Sequence, residues 1–142
     1  MKAMGRSTIR IMAAAAILAT SLALSPVGGH IPLAHACSLQ QNSSSGYGVT
    51  AIISVNSCTG TAQATATVDS GVHWYTLQVW LYPQGGGAAI DSNTAYGNGS
   101  GGNPQSVSTG VWHVSCGSGW YAEGRTNSTP GTITSPPVYN WC

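Results

Sequence analysis

Charge is nearly missing from this chain. Its 142 residues hold 4 Lys and Arg and 3 Asp and Glu, 5% in all. Three of the four cations, Lys2, Arg6 and Arg10, crowd the first ten positions. From residue 37 onward Arg125 stands alone against Asp69, Asp91 and Glu123, so one cation against three acids leaves a formal charge of −2. A nucleic-acid partner is excluded, because phosphate binding needs several Lys or Arg. A polybasic membrane anchor is excluded for the same reason. Phe is absent, and 5 Trp and 6 Tyr carry the whole aromatic load. No His-x-x-x-His spacing occurs, so no metal site is expected. No Gly-x-Ser-x-Gly elbow occurs either. The glycine-rich stretch 97–104 lacks the Gly-Lys-Ser/Thr ending of a phosphate cradle and reads as a linker. Three acids could in principle supply a glycosidase pair, but nothing singles out two of them. The chain is therefore expected to be no enzyme and to need no cofactor.

What is present begins with a leader. Lys2, Arg6 and Arg10 precede an apolar run over residues 11–24, and Ala34-His35-Ala36 is a small-x-small cleavage site. A run of about 14 residues is short for a membrane span, which takes roughly 20. Residues 1–36 are read as a secretion signal and residues 37–142 as one mature domain, secreted, with no stable membrane insertion after cleavage. The Ala-rich leader is consistent with a bacterial source. A rival reading makes Cys37 a lipidated first residue. The position three before it is Ala34 rather than a large aliphatic, and lipidation would leave an odd number of cysteines.

All four cysteines, Cys37, Cys58, Cys116 and Cys142, follow the leader, as expected of a disulfide framework. Four cysteines allow three connectivities. The turn over residues 127–131 is centred on residue 129, and so is the interval between Cys116 and Cys142. A hairpin folded there sets these two cysteines opposite each other, with β carbons roughly 4.5–5.5 Å apart. Cys37 is then left for Cys58. Loop-closure entropy gives each bridge about 3–4 kcal/mol.

Good helix formers are scarce after residue 37, while β-branched and aromatic runs recur between Gly, Asn, Ser and Pro clusters. Strands are expected over residues 49–55, 61–68, 72–82, 88–96, 106–116, 120–126 and 133–141. Residues 61–68 alternate cleanly, with Ala62, Ala64, Ala66 and Val68 on one face and Thr61, Gln63, Thr65 and Thr67 on the other. The fold class that follows is all-β: a small antiparallel β-sandwich of about seven strands with two disulfides. The order Cys58, Trp74, Cys116 is similar to the Cys…Trp…Cys pattern of immunoglobulin domains, which implies an immunoglobulin-like architecture with a bridge between the sheets. Val114 stands where that pattern has Tyr.

The longest strand carries the candidate site. Tyr75, Leu77, Val79 and Leu81 alternate with Trp74, Thr76, Gln78, Trp80 and Tyr82. Trp74, Gln78, Trp80 and Tyr82 are the expected ligand-binding residues. Aromatic rings beside amide and hydroxyl groups suit a glycan, which needs no charge. The competing explanation is that these rings only stabilise the sheet as cross-strand pairs. On residues 106–116, Trp112, Val114 and Cys116 are expected to face inward. On the next strand Trp120, Ala122 and Gly124 share one face, and Tyr121, Glu123 and Arg125 the other. Glu123 with Arg125 reads as a weak surface pair.

Three roles are carried forward. The first is a secreted non-catalytic module contacting extracellular or cell-wall glycan. The second is an antibacterial protein: Gly110-Val111-Trp112 and the terminal Tyr139-Asn140-Trp141 are similar to motifs of the lactococcin-972-like bacteriocins, secreted β-sandwiches that act at the cell wall. The third is an envelope protein that self-associates through its low-charge surface. The triplets at Asn42, Asn98 and Asn127 match the N-glycosylation pattern.

Overall fold

A computed structural model describes residues 37–101 and 105–141. The predicted leader and Cys142 lie outside the described residues. The described chain is all-β, with ten strands in two antiparallel sheets. They are β1 (Leu39–Gly46), β2 (Val49–Asn56), β3 (Thr61–Val68), β4 (Thr76–Pro83), β5 (Asp91–Tyr96), β6 (Gln105–Ser108), β7 (Trp112–His113), β8 (Gly119–Thr126), β9 (Ile133–Thr134) and β10 (Val138–Tyr139). One sheet has the order β1-β2-β3-β6, with β7 also on β3; the other has β10-β8-β4-β5, with β9 also on β8. Among the described residues no helix is long and apolar enough to cross a membrane.

The alternating sequence of β2 and β3 dictates the core. Val49, Ala51, Ile53 and Val55 on β2, and Ala62, Ala64, Ala66 and Val68 on β3, are all buried. They face Leu77, Val79 and Leu81 of β4 and Trp120 and Ala122 of β8. Both inner faces mix small and large residues, with Ala51, Ala62, Ala64, Ala66 and Ala122 beside Val49, Ile53, Leu77 and Leu81, so that the two faces can interdigitate. At Gly124 the sheets approach closely: an added Cβ would lie 2.9 Å from Ala66 Cβ and 3.5 Å from Ala51 Cβ. Both neighbours are rooted in backbone and cannot swing aside. Gly124→Ala should therefore destabilise the domain by about 1–3 kcal/mol in denaturant melts, although alanine normally suits a strand at least as well as glycine.

Ten strands replace the expected seven, for three local reasons. The segment over residues 39–46 is polar and was not legible as a strand, yet β1 pairs with β2 along its full length. Tyr47 (φ 53°) and Gly48 (φ 72°) form the two-residue turn between them, with both residues left-handed as a type I′ hairpin requires. The expected strand over 106–116 breaks at Thr109–Val111 into β6 and β7, both on β3. The expected strand over 133–141 breaks at Ser135–Pro137 into β9 and β10, both on β8.

The two breaks are built alike. Thr109 N–H donates to Ala64 O (3.0 Å), and Ala64 N–H donates to the Thr109 hydroxyl (3.1 Å). Ser135 N–H donates to Ala122 O (2.9 Å), and Ala122 N–H donates to the Ser135 hydroxyl (2.9 Å). In each sheet a buried hydroxyl takes the N–H of a fully buried alanine where the edge strand leaves the ladder. Thr109→Val or Ser135→Ala strands that amide without an acceptor. Each should cost about 1–3 kcal/mol, and hydrogen exchange should quicken at Ala64 or Ala122 respectively.

Side-chain amides close the two flanks of the sandwich. Asn42 Nδ2 donates to Pro137 O (2.9 Å) on one side, and Asn93 Nδ2 donates to Ser108 O (2.8 Å) on the other. The second flank is reinforced by Asp91, which accepts from Gly110 N–H and from Trp112 Nε1–H, each at 2.8 Å. The Trp112 bond, with the Gly110 and Ser92 amides, outweighs burial and holds the Asp91 carboxyl below its ordinary range. This clip is strongest above that range and fades as pH falls through the lowered value.

Cys37 and Cys58 form a disulfide, with Cα atoms 4.6 Å apart. That bond rules out the Cys58–Cys116 bridge of the immunoglobulin pattern. The strand order differs as well, since β1, β2 and β3 are adjacent in sequence and in space. Cys116 is disulfide-bonded, and its expected partner, Cys142, lies outside the described residues. The pairs Val138↔Trp120 and Tyr139↔Gly119 follow the register of a hairpin centred on residue 129, whereas β9 is displaced by one residue, with Thr134 opposite Glu123. Of Trp112, Val114 and Cys116, all expected to face inward, only Val114 packs against the core. Trp112 and Cys116 are exposed, because the chain leaves the sheet at Gly110 and returns for two residues only.

Candidate functional site

Strand β4 is central in its sheet, between β5 and β8. Its inner face is Leu77, Val79 and Leu81, and its outer face is Thr76, Gln78, Trp80 and Tyr82. Three of the four residues expected to bind ligand, Gln78, Trp80 and Tyr82, are thus brought together. Trp74 is not among them. It is 6% exposed and belongs to the core. The strand starts at Thr76, after a bend at Tyr75, so Tyr75 and Thr76 both turn outward and the alternation loses a step. A strand extended back to residue 72 puts Trp74 on the wrong side of the sheet for this reason.

Strand β8 supplies the rest of the face. Its register sets Arg125 opposite Gln78, Glu123 opposite Trp80 and Tyr121 opposite Tyr82. Arg125 Nε donates to Gln78 Oε1 (2.9 Å), and its guanidinium carbon lies 5.1 Å from the centroid of the Trp80 ring, a cation–π distance. Tyr82 and Tyr121 stack with centroids 5.1 Å apart and ring planes 8° apart. The expected Glu123–Arg125 pair is not formed. Glu123 instead accepts from the Thr134 hydroxyl (3.4 Å). Burial, then Glu123 and Tyr121, raise the Tyr82 phenol above its ordinary range against an opposing pull from Arg125. Tyr82 therefore keeps its proton as a donor at neutral pH.

Beside Arg125 the face dips into a hollow of about 270 Å³, bounded by Thr76, Gln78 and Arg125 and by Asn127, Thr129 and Pro130 of the turn after β8. That turn is fixed in place. Asn127 Oδ1 accepts the N–H groups of Tyr75 (2.7 Å) and Thr76 (3.1 Å), and Thr126 N–H donates to the Thr129 hydroxyl (3.2 Å). Two glycosylation-like triplets are thereby engaged in structure, since Asn42 also uses its amide across the flank.

No family model, no curated protein and no solved structure matches this chain. The functional reading rests on this face. Sequence reasoning placed Tyr121, Glu123 and Arg125 on one side of β8 but could not join them to Trp80. That joining needs β8 beside β4, and the two strands are far apart in sequence. Among the described residues no group of three or more His, Cys, Asp or Glu is placed to hold a metal ion. A second cleft, of about 500 Å³, opens beside Trp74, Tyr96, Asn98 and Gln105.

Proposed function

We propose that this protein is a secreted, non-catalytic binding module that holds extracellular or cell-wall glycan on the outer face of the sheet built from β10, β8, β4 and β5. One observation carries the reading. Trp80, Tyr82 and Tyr121 share that face with the neutral amide of Gln78 and with Glu123 and Arg125, two of the four formal charges found from residue 37 onward. Rings that can take the apolar faces of sugars thus lie beside donors and acceptors that can take hydroxyls. Exposed Cys37 and Cys58 joined in a disulfide agree with an oxidising compartment, and hence with secretion.

The test is retention of oxidised protein on insoluble cell-wall and polysaccharide preparations. Trp80→Ala should weaken retention at least about tenfold, a loss of roughly 1.4 kcal/mol, with an unchanged amide spectrum. Equal retention of a folded Trp80→Ala variant would make the rings architecture only.

A second reading draws on the other sheet. Its outer face carries Ser43, Ser45, Thr50, Thr65, Thr67, Ser106 and Ser108 across four strands and no charged side chain. That uncharged hydroxyl surface suits an envelope protein that self-associates. Sedimentation as an oligomer, with no retention on any glycan, would favour it over the first reading.

A further inference from the structure

Arg125 is the one cation among Lys and Arg side chains from residue 37 onward. In a chain so poor in charge, its surroundings carry information. The Gln78 bond and the Trp80 ring fix the guanidinium from two directions. Among the described residues no acid lies within ion-pairing distance of it, and only its Nε has a hydrogen-bond acceptor in the protein. The remaining donors belong to a fork whose geometry matches a carboxylate. The hollow that Arg125 borders is walled by a turn held through Asn127, so the site needs little ordering on binding. Its size suits a single sugar residue and not a folded partner.

We infer that the hollow is a carboxylate subsite and that the glycan held on this face is acidic. A uronate-type sugar places its carboxylate against Arg125, and the neighbouring sugar runs across Trp80 toward Tyr82 and Tyr121. Charge sets the direction. Glu123 lies opposite Trp80 and away from the hollow, so a second carboxylate is disfavoured there. The inference rests on the glycan reading and names the class of its ligand.

The experiment uses the full oxidised protein on beads carrying polygalacturonate, and on the same polymer methyl-esterified at its carboxyls. The acid polymer should retain the parent at least about tenfold more strongly, as expected for a charge-assisted bidentate contact, and added salt should reduce that advantage. Arg125→Gln should abolish the difference between the polymers, and Trp80→Ala should weaken retention on both. Equal retention of acid and ester by the parent, still lost in Trp80→Ala, would overturn the carboxylate subsite and leave the glycan face standing. An acid preference that persists in Arg125→Gln would overturn it also. If neither polymer retains the parent, the Arg125 Nε–H resonance decides the matter, read on the protein from residue 37 onward, where Arg125 is the one arginine. Movement with galacturonate but not with its methyl ester would support the subsite even with the aromatic face refuted. An unmoved resonance would overturn it.

Discussion

Trp74→Ala should cost about 3–5 kcal/mol of stability, the range for deleting a buried aromatic, while Trp80→Ala should change stability far less. Both tryptophans lie on one short stretch and look equivalent in sequence, but they meet opposite sides of the sheet. Trp74 is packed with Val68, Leu77 and Val107 in a common core. Its ring also lies against the chain at Gly97, where an added Cβ would sit 2.9 Å from it. Gly97 N–H donates to Tyr75 O and Gly99 N–H donates to Trp74 O, so the following loop is tied to the backbone around this residue. Truncation removes the apolar area and the support of that loop together. Trp80 is half-buried, with its inner neighbours on the strand, Val79 and Leu81, unaffected by its loss. Urea melts of the two variants, run beside glycan retention, separate the roles. Trp74→Ala should shift the midpoint, and Trp80→Ala should shift retention. A Trp74→Ala variant as stable as the parent would mean that this end of the core is held without the indole.

The contrast shows where sequence reading succeeds on this chain and where it stops. Residues 61–68 declare their faces, because each Ala or Val alternates with a Thr or Gln and every one of the former is buried. Residues 120–126 are equally plain. Both segments lie in the middle of a sheet, where one face must be apolar. The edges are less legible. Leu39-Gln40-Gln41-Asn42-Ser43-Ser44-Ser45 has no apolar period, yet it is a strand, since β2 offers it a ladder and the Tyr47-Gly48 turn returns it in register. Polar edge strands are a common protection against unwanted pairing, and the same polarity conceals them from pattern reading. Pro136-Pro137 interrupt the single strand expected over residues 133–141, because proline cannot donate to a ladder, and Ser135 bridges the interruption. The candidate site was half visible for the same kind of reason. Gln78, Trp80 and Tyr82 follow from one strand's alternation. Arg125 over Trp80 follows only from which strand lies next to which, and that is a property of the whole sandwich.

Replacing Cys37 and Cys58 by serine should release β1 before it unfolds the domain. The bridge spans 21 positions, and the loop it closes is the β1–β2 hairpin. Chain entropy assigns such a closure about 3 kcal/mol. How that energy is distributed depends on what else holds β1. None of its residues is buried, and Leu39, its one large apolar side chain, is 61% exposed. Its attachments are the ladder to β2, the Ser38–Ser57 bonds beside the bridge and the Asn42 bond to Pro137 O. The adjacent strands β2 and β3, by contrast, each bury four side chains in the core. A strand with so little apolar burial is at the low end of local stability once its covalent tie is cut. Amide exchange at Gln40, Asn42 and Ser44, whose N–H groups face β2, should accelerate by about a hundredfold in the double serine variant, the equivalent of roughly 2.7 kcal/mol. Ala64 and Ala66 on β3 should slow-exchange much as in the parent. If protection falls equally in β1 and β3, the bridge stabilises the sandwich as one cooperative unit, and β1 is as integral to it as the buried strands.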